Sequence, residues 1–166
     1  AVAVDHRGRI VIAGAVDECQ DTLVARVLAD GTLDPDFGTN GAVTIDVAPA
    51  TANLCAEVGT ALALQPDGKI LVATQAQTPD APPSPLTLVD WYLTRLDHDG
   101  TRDLAFDDEH FTADGHVFLA DASPAALALQ ADGKIVTVGR FSRPNYDDPP
   151  LITTDESLAL TRNEAM

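Results

Sequence analysis

The chain has 166 residues, 45% of them hydrophobic and 5% aromatic, enough for the core of one domain built from Ala, Val, Leu and Ile. Its 26 acidic residues outnumber its 10 basic ones, and a net charge of −16 argues against binding to nucleic acids or anionic membranes. No uncharged apolar run approaches the roughly 18 residues of a membrane-spanning helix. Of the acids, 21 are Asp, a residue typical of turns.

A short hairpin pattern occurs three times along the chain. In its clearest copy, residues 61–73, the turn Pro-Asp-Gly separates two apolar runs; residues 126–136 repeat it, and residues 1–12 are a weaker copy. Pro and Asp favour the corners of a tight turn, and Gly supplies its left-handed residue. The turn glycines Gly8, Gly68 and Gly133 recur at intervals of 60 and 65 residues. Regular recurrence over intervals of this length indicates a repeat architecture.

A second pattern follows the hairpins. It consists of a strand that carries Arg, an Asp-Gly turn, and then an Asp and a Phe at fixed distances. The members are Arg26, Asp34 and Phe37 in the first unit and Arg95, Asp103 and Phe106 in the second, with the same spacing among the three in both. A residue needed once per repeat is structural, so we expect a partly buried Arg–Asp pair in each unit. We expect the phenylalanines to act as wedges between units. A third Arg-bearing strand is predicted at residues 158–162.

Four short strands in about 60 residues predict an all-β fold, a β-propeller-like arc of four-stranded antiparallel blades. A β-sandwich is the alternative, although sandwiches do not require an internal repeat. The predicted units are 1–41, a partial blade with strands two to four; 42–114, a second blade; and 115–166, a third blade truncated at its end. With fewer than three blades, we expect closure to need the remainder of a longer propeller or other copies of this chain.

The segments 63–73, 128–138 and 26–38 resemble the bacterial delta-sixty repeat, a β-propeller repeat of unknown function. The second unit departs from the pattern, because Asp107 stands where a glycine would follow Phe106. The resemblance implies a secreted or surface-exposed bacterial protein, at an extracellular, cell-surface or periplasmic location. It implies no reaction.

Antiparallel connectivity places the repeated turns at one end of the strands and the dissimilar connections at the other. Those connections are 14–22, 47–60, 74–88, 119–124 and 139–157. Divergent loops often serve recognition, so this face is a candidate binding surface for a protein or glycan; the alternative is that the loops are simply unconstrained. The candidate anchors are Trp91, Tyr92 and Tyr146. Packing within the sheet is the alternative for Trp91 or Tyr92.

The two cysteines, Cys19 and Cys55, are too far apart in sequence for a zinc knuckle. The repeat phase puts both on the divergent face, in neighbouring blades. We therefore predict a disulfide between them, which requires an oxidising compartment and agrees with export.

The acidic stretch 97–109 is a candidate calcium site, because closely spaced loop carboxylates can supply the six to eight oxygens that calcium takes. The candidate ligands are Asp97, Asp99, Asp103 and Asp107. Asp99 and Asp103 also recur as Asp30 and Asp34, so a turn role is the alternative. No other cofactor is predicted.

Catalytic motifs are absent from the sequence. None of the four serines lies in a Gly-x-Ser-x-Gly motif, and there is no P-loop or dinucleotide fingerprint. The favoured function is a non-catalytic binding or structural module of an exported repeat protein. The alternative is a propeller enzyme that acts on glycans or esters, for which a carboxylate pair would be needed.

Overall fold

The computed structural model describes residues 1–16, 21–47, 57–79, 87–106, 115–120, 122–141 and 151–155. These residues form eleven β-strands and no helix. The strands are β1 (Val2–Val4), β2 (Ile10–Val16), β3 (Asp21–Val27), β4 (Ala42–Ile45), β5 (Glu57–Leu64), β6 (Ile70–Pro79), β7 (Thr87–Leu96), β8 (His116–Ala120), β9 (Ala122–Leu129), β10 (Ile135–Phe141) and β11 (Leu151–Asp155).

The strands form three antiparallel sheets in which each strand pairs with its neighbour in sequence. The first sheet has the order β1-β2-β3-β4, the second β5-β6-β7-β8, and the third β9-β10-β11. The second sheet lies between the other two, and the strands that the structure describes form an arc that is not closed into a ring. The predicted fold class, an all-β, β-propeller-like arc of antiparallel blades with four strands in the largest, is confirmed. The described residues contribute two four-stranded sheets and one three-stranded sheet.

Three hairpins are closed by the turn glycines. Gly8, Gly68 and Gly133 have φ values of 77°, 91° and 87°, which only glycine adopts at little cost. In each turn the glycine N–H donates to the carbonyl three residues earlier, at 3.0, 2.9 and 3.0 Å. The hairpin pattern in the sequence therefore folds as a local unit in every copy.

Two hydrophobic cores lie on opposite faces of the second sheet. Between the first and second sheets the buried side chains are Val11, Ala13, Val24, Phe37, Ile45, Ile70, Val72 and Leu96. Between the second and third sheets they are Ala61, Leu71, Ala73, Trp91, Leu93, Phe106, Val117 and Ile135. Period-two alternation along each strand of the second sheet supplies both cores at once.

The strands group differently from the predicted units 1–41, 42–114 and 115–166. Ala42–Ile45, predicted to open the second blade, pairs with β3 and completes the first sheet, and His116–Ala120 likewise completes the second. The reason is the connection after β3: Thr39 N–H donates to Ala42 O at 2.7 Å and Arg26 N–H to Gly41 O at 2.9 Å, so the chain folds back onto β3. A repeat gives the length of a unit but not the strand at which it begins.

The sheets have two ends. The repeat end carries the connections 5–9, 28–41, 65–69, 97–115 and 130–134; the variable end carries 17–20, 46–56, 80–86, 121 and 142–150. The connections of the variable end are shorter than predicted, because β6 and β7 remain paired as far as Pro79 and Thr87. The predicted Arg-bearing strand at 158–162 lies outside the described residues, and β11 is the strand that pairs with β10.

Candidate functional site

An ion pair is buried at the repeat end of the first sheet. Arg26 Nε donates to Asp34 Oδ2 at 2.7 Å, and both side chains are almost fully buried, at 4% and 5% exposure. The Arg26 guanidinium also lies over the Phe37 ring, 4.6 Å from its centroid. Arg9 reaches the same carboxylate, with Nη1 3.7 Å from Asp34 Oδ2. The predicted Arg–Asp pair is thus part of a larger network.

The second sheet repeats this network with one addition. Arg95 Nε donates to Asp103 Oδ2 at 2.7 Å, and its guanidinium lies 4.4 Å from the centroid of Phe106. Lys69 takes the place of Arg9 and donates from Nζ to Asp103 Oδ2 at 2.6 Å and to Asp97 Oδ1 at 2.7 Å. Two cations therefore share one carboxylate.

These contacts hold the carboxyl groups ionised. Burial raises the pKa of Asp34, but hydrogen bonds from the Asp36 amide and the Arg26 guanidinium hold it below its usual value. The hydrogen bond from Lys69 is the largest influence on the pKa of Asp103 and, with that from Arg95, holds it below the usual range against burial. The same bonds, first to Asp103 and then to Asp97, raise the pKa of Lys69.

The loop that follows the Arg–Asp pair of the first sheet docks on the second sheet. Gly38 N–H donates to Asp99 O at 2.7 Å, and Arg26 Nη1 donates to His98 O. A Cβ at Gly100 would lie 3.0 Å from both Gly38 N and Phe37 Cε2, so this turn receives the Phe-Gly loop without spare room. The Arg–Asp–Phe groups therefore join one sheet to the next.

The predicted calcium ligands have other partners in this arrangement. Asp97 and Asp103 are bound by Lys69, and Asp99 Oδ1 accepts from Thr101 N and Oγ1 at 2.9 and 2.7 Å. Asp107 lies outside the described residues. Within the described ranges, no three His, Cys, Asp or Glu side chains are grouped so as to hold a metal ion. The cationic centre of this cluster is the Lys69 ammonium.

The candidate binding aromatics are divided by the structure. Trp91 is fully buried in β7, within the core between the second and third sheets, so packing rather than recognition is its role. Tyr92, the next residue of β7, is half-buried. Tyr146, Cys19 and Cys55 lie outside the described residues.

Buried polar side chains lie between the first and second sheets, with Glu57 and Asp90 near the variable end and His116 at the start of β8. Glu57 and Asp90 flank Ala76 in the strand register, and Glu57 Oε1 accepts from Val47 N at 2.8 Å. His116 contacts the Thr94 hydroxyl at 2.7 Å through Nδ1 and the Asp46 carbonyl at 3.1 Å through Nε2. Glu57, Asp90 and His116 are each at most 7% exposed. Because Glu57 is enclosed and bonded to the end of the first sheet, it anchors that chain segment rather than facing a substrate.

Comparison with known proteins gives one family. Residues 8–37 match a model described as Domain of unknown function (DUF5122) beta-propeller. The match spans β2, β3 and the loop as far as Phe37, and so includes the Arg26–Asp34 pair. It supports a β-propeller repeat of unknown function. No curated protein and no solved structure matches the chain.

Sequence reasoning missed the base that completes each network. Arg9 and Lys69 directly follow the turn glycines Gly8 and Gly68, and Lys134 follows Gly133. The signal was present, since a base recurs at this position in all three hairpins. The sequence does not identify the partner of this base, because the Asp lies far along the chain, 34 residues beyond Lys69.

Proposed function

We propose that this chain is a non-catalytic binding and structural module of an exported bacterial protein, built from delta-sixty-type propeller repeats. The repeat end joins the sheets, and the variable end presents the surface that recognises a protein or glycan. The location that this function requires is extracellular, cell-surface or periplasmic.

The division of labour between the two ends supports this proposal. At the repeat end, the polar groups of the loops are used in contacts between strands and sheets: Arg26, Lys69 and Asp99 all bond across strands or sheets. The variable end carries connections that share no sequence pattern, among them the proline-rich stretch 80–86. Loops of unlike sequence on a rigid scaffold are the usual site of recognition.

Export is supported by the positions that flank the cysteines. A Cβ at Gly59 would lie 3.0 Å from Thr22 Cγ2 and 3.1 Å from Ala13 Cβ, so the start of β5 lies directly against β2 and β3. Cys19 is three residues before Thr22, and Cys55 is four residues before Gly59. Such short tethers are compatible with a disulfide between neighbouring sheets. The described residues contain no helix with the length and apolarity of a membrane span.

The alternative, an enzyme acting on glycans or esters, draws on the pair of acids near the variable end. Glu57 and Asp90 are carboxylates on one face of the second sheet, but both are buried. A hydrolase of this kind needs acids that reach a bound sugar. Their enclosure favours the binding module.

A loop-replacement experiment tests the proposal. Residues 80–86 would be replaced by a short Gly-Ser linker that joins Pro79 to Thr87, which leaves every described strand pair intact. The probes are an array of defined bacterial and plant polysaccharides and a panel of extracellular matrix proteins. We expect the replacement to weaken binding of any probe retained by the unmodified chain, with melting temperature unchanged.

The matched control is Leu104→Ala, an exposed substitution at the repeat end, which should bind normally. Binding that is lost in the control and kept in the loop replacement would contradict the proposal.

A further inference from the structure

The face of the first sheet that is turned away from the second sheet is apolar and exposed. Val2, Val4 and Ile12 are 67%, 63% and 42% exposed. The pairs Val2↔Ile12 and Val4↔Ile10 place these side chains on one face, opposite to the buried Val11. Single exposed apolar residues are ordinary, whereas a contiguous patch across two strands indicates an interaction surface.

The repeat identifies the counterparts of this patch in the second sheet. They stand at the equivalent positions of the hairpin around Gly68 and are Leu62, Leu64, Ile70 and Val72. All four pack in the core beneath the first sheet, where they meet Phe37. In the third sheet the counterparts Leu127, Leu129 and Ile135 are covered in the same way, in the core that contains Phe106. The same face is therefore covered twice within this chain, each time by a sheet whose loop carries a phenylalanine.

The turn that receives the loop is also repeated. Asp99-Gly100 accepts the Phe37-Gly38 loop, and its counterpart in the first unit is Asp30-Gly31. Gly31 has the same left-handed backbone as Gly100, with φ of 88° and 90°. A Cβ at Gly31 would have no atom within 4 Å, whereas one at Gly100 would touch Phe37. The first sheet thus has both parts of the acceptor, the apolar patch and the turn, in an open state.

We propose that this face of the first sheet docks a further repeat unit that presents its own Phe-Gly loop. Both phenylalanines of this kind in residues 1–166 are already buried, Phe37 at 0% and Phe106 at 4% exposure, so the occupant lies outside this sequence. This inference does not depend on what binds at the variable end.

The contacts in this chain specify the chemistry of the occupant. It carries an Arg, an Asp eight residues later, a Phe three residues after that and then a Gly, as in the first unit. Its Phe ring covers Gly31, its Gly N–H donates to the Asp30 carbonyl, and its Arg donates to the Ala29 carbonyl. These positions correspond to Gly100, Asp99 and His98 in the contact already formed.

A tandem protein tests the inference with the chain's own donor. Residues 1–60 are duplicated ahead of Ala1, which is the counterpart of Ala61, so that the added copy supplies a complete first sheet with its Phe-Gly loop and the natural connection to the next sheet. Ile12→Thr is then made in the original copy, in both the tandem and the unextended chain. In the unextended chain it should lower the melting temperature by less than about 2 °C, as a surface substitution does. In the tandem we expect a loss of about 5 °C or more, because the side chain is now covered.

The matched control is Val72→Thr, at the equivalent position of the second sheet, which is fully buried in both proteins and should be costly in both. On the donor side, Phe37→Leu in the added copy should abolish the extra cost of Ile12→Thr. Leu33→Ala in the same loop, at a side chain 53% exposed, should preserve it.

Three results would overturn the proposal. The first is that Ile12→Thr lowers the melting temperature by the same amount in the tandem and in the unextended chain, whether or not the added unit folds. The second is that the additional loss of melting temperature caused by Ile12→Thr in the tandem persists when Phe37→Leu is made in the added copy. Alternatively, the unextended chain would be a dimer by light scattering and Ile12→Thr would dissociate it, in which case a second copy and not a further repeat unit covers this face.

Discussion

The ring of Phe37 in the first sheet lies against Gly100 of the second sheet, where a Cβ would approach Cε2 of the ring to 3.0 Å. Glycine is needed at this position for two separate reasons, its φ of 90° and this contact. Gly31, with φ of 88°, shares the first reason but lacks the second. The pair of positions allows backbone strain and loss of packing to be measured separately.

We expect Gly100→Ala to destabilise the chain more than Gly31→Ala does. Both substitutions place alanine in the left-handed region, at about 1–2 kcal/mol. Gly100→Ala additionally displaces the Phe37 ring and the Gly38 amide, for about 1–3 kcal/mol more. Urea unfolding of the two variants gives the difference directly. Equal losses would mean that the Phe-Gly loop contributes nothing to the joining of the sheets.

The two Arg–Asp pairs should differ in strength. Asp34→Asn leaves Arg26, whose side chain is 4% exposed, as a buried charge with a neutral partner, and we expect a loss of about 3 kcal/mol. Asp103→Asn should cost less, about 1–2 kcal/mol, because Arg95 and Lys69 are 22% and 28% exposed and remain partly hydrated. Denaturant unfolding compares them. A larger loss for Asp103→Asn would show that the number of cations at a carboxylate matters more than its burial.

The pH dependence follows from the lowered pKa values of Asp34 and Asp103. A carboxyl group with a lowered folded-state pKa stabilises the fold above its unfolded value, about 3.9, and loses this contribution as the pH falls through the folded value. The melting temperatures of the unmodified chain and of Asp34→Asn should therefore differ by a constant amount between about pH 5 and 8, begin to converge below about pH 4 and coincide only below the folded value. Convergence already at pH 6 would assign the effect to another group.

The alkaline limit is set by Lys69, whose pKa is raised by Asp103 and Asp97. Its contribution is complete below the unfolded value of about 10.4 and is lost as the pH rises through the folded value. Lys69→Met should accordingly lower the melting temperature at pH 7 but leave it almost unchanged, relative to the unmodified chain, once the pH exceeds the folded value. A Lys69→Arg variant, charged at both pH values, serves as the control.

The hairpins and the Arg–Asp pairs could be predicted because each is encoded by a local pattern that recurs. Gly68 bonds to Gln65 within the same turn, and Arg95 and Asp103 are eight residues apart. The geometry of each contact is therefore nearly independent of the rest of the fold. The placement of Ala42–Ile45 could not be predicted in this way. Whether this strand ends the first sheet or begins the second depends on the fold of the loop before it, where Gly41 and Thr39 bond to Arg26 and Ala42.

Burial within a sheet was equally hard to read from the pattern. The sequence makes Trp91 a candidate binding anchor because the predicted connection 74–88 ends close to it. The strands β6 and β7 remain paired over ten residues each, which moves Trp91 from a loop margin to the middle of a core. A long paired strand rich in Thr and Gln, such as 74–78, lacks the apolar alternation that marks strand ends in a sequence.

The predicted disulfide has a direct measurement. If Cys19 and Cys55 are joined, intact mass of the protein purified from its native compartment should show no free thiol after alkylation without reductant. Closing a loop of this length should contribute about 3–4 kcal/mol, so reduction should lower the melting temperature. Cys19→Ser with Cys55→Ser is the control and should be insensitive to reductant. Two alkylated thiols in the native protein would contradict both the bridge and the inference of export.

Calcium binding at 97–109 is tested best through Lys69. The ammonium of Lys69 already occupies the position between Asp97 Oδ1 and Asp103 Oδ2, at 2.7 and 2.6 Å, so a calcium ion that used these oxygens would have to displace it. Lys69→Met leaves these two carboxylates facing one another without their shared cation, which favours a divalent ion. We therefore expect about 5 mM calcium, a concentration in the range that weak extracellular sites require, to raise the melting temperature of Lys69→Met more than that of the unmodified chain.

Magnesium at the same concentration controls for general screening of the net charge of −16. An equal shift in both proteins that magnesium does not reproduce would place the calcium site away from Asp97 and Asp103, and calorimetry without heat in either protein would exclude it at useful affinity.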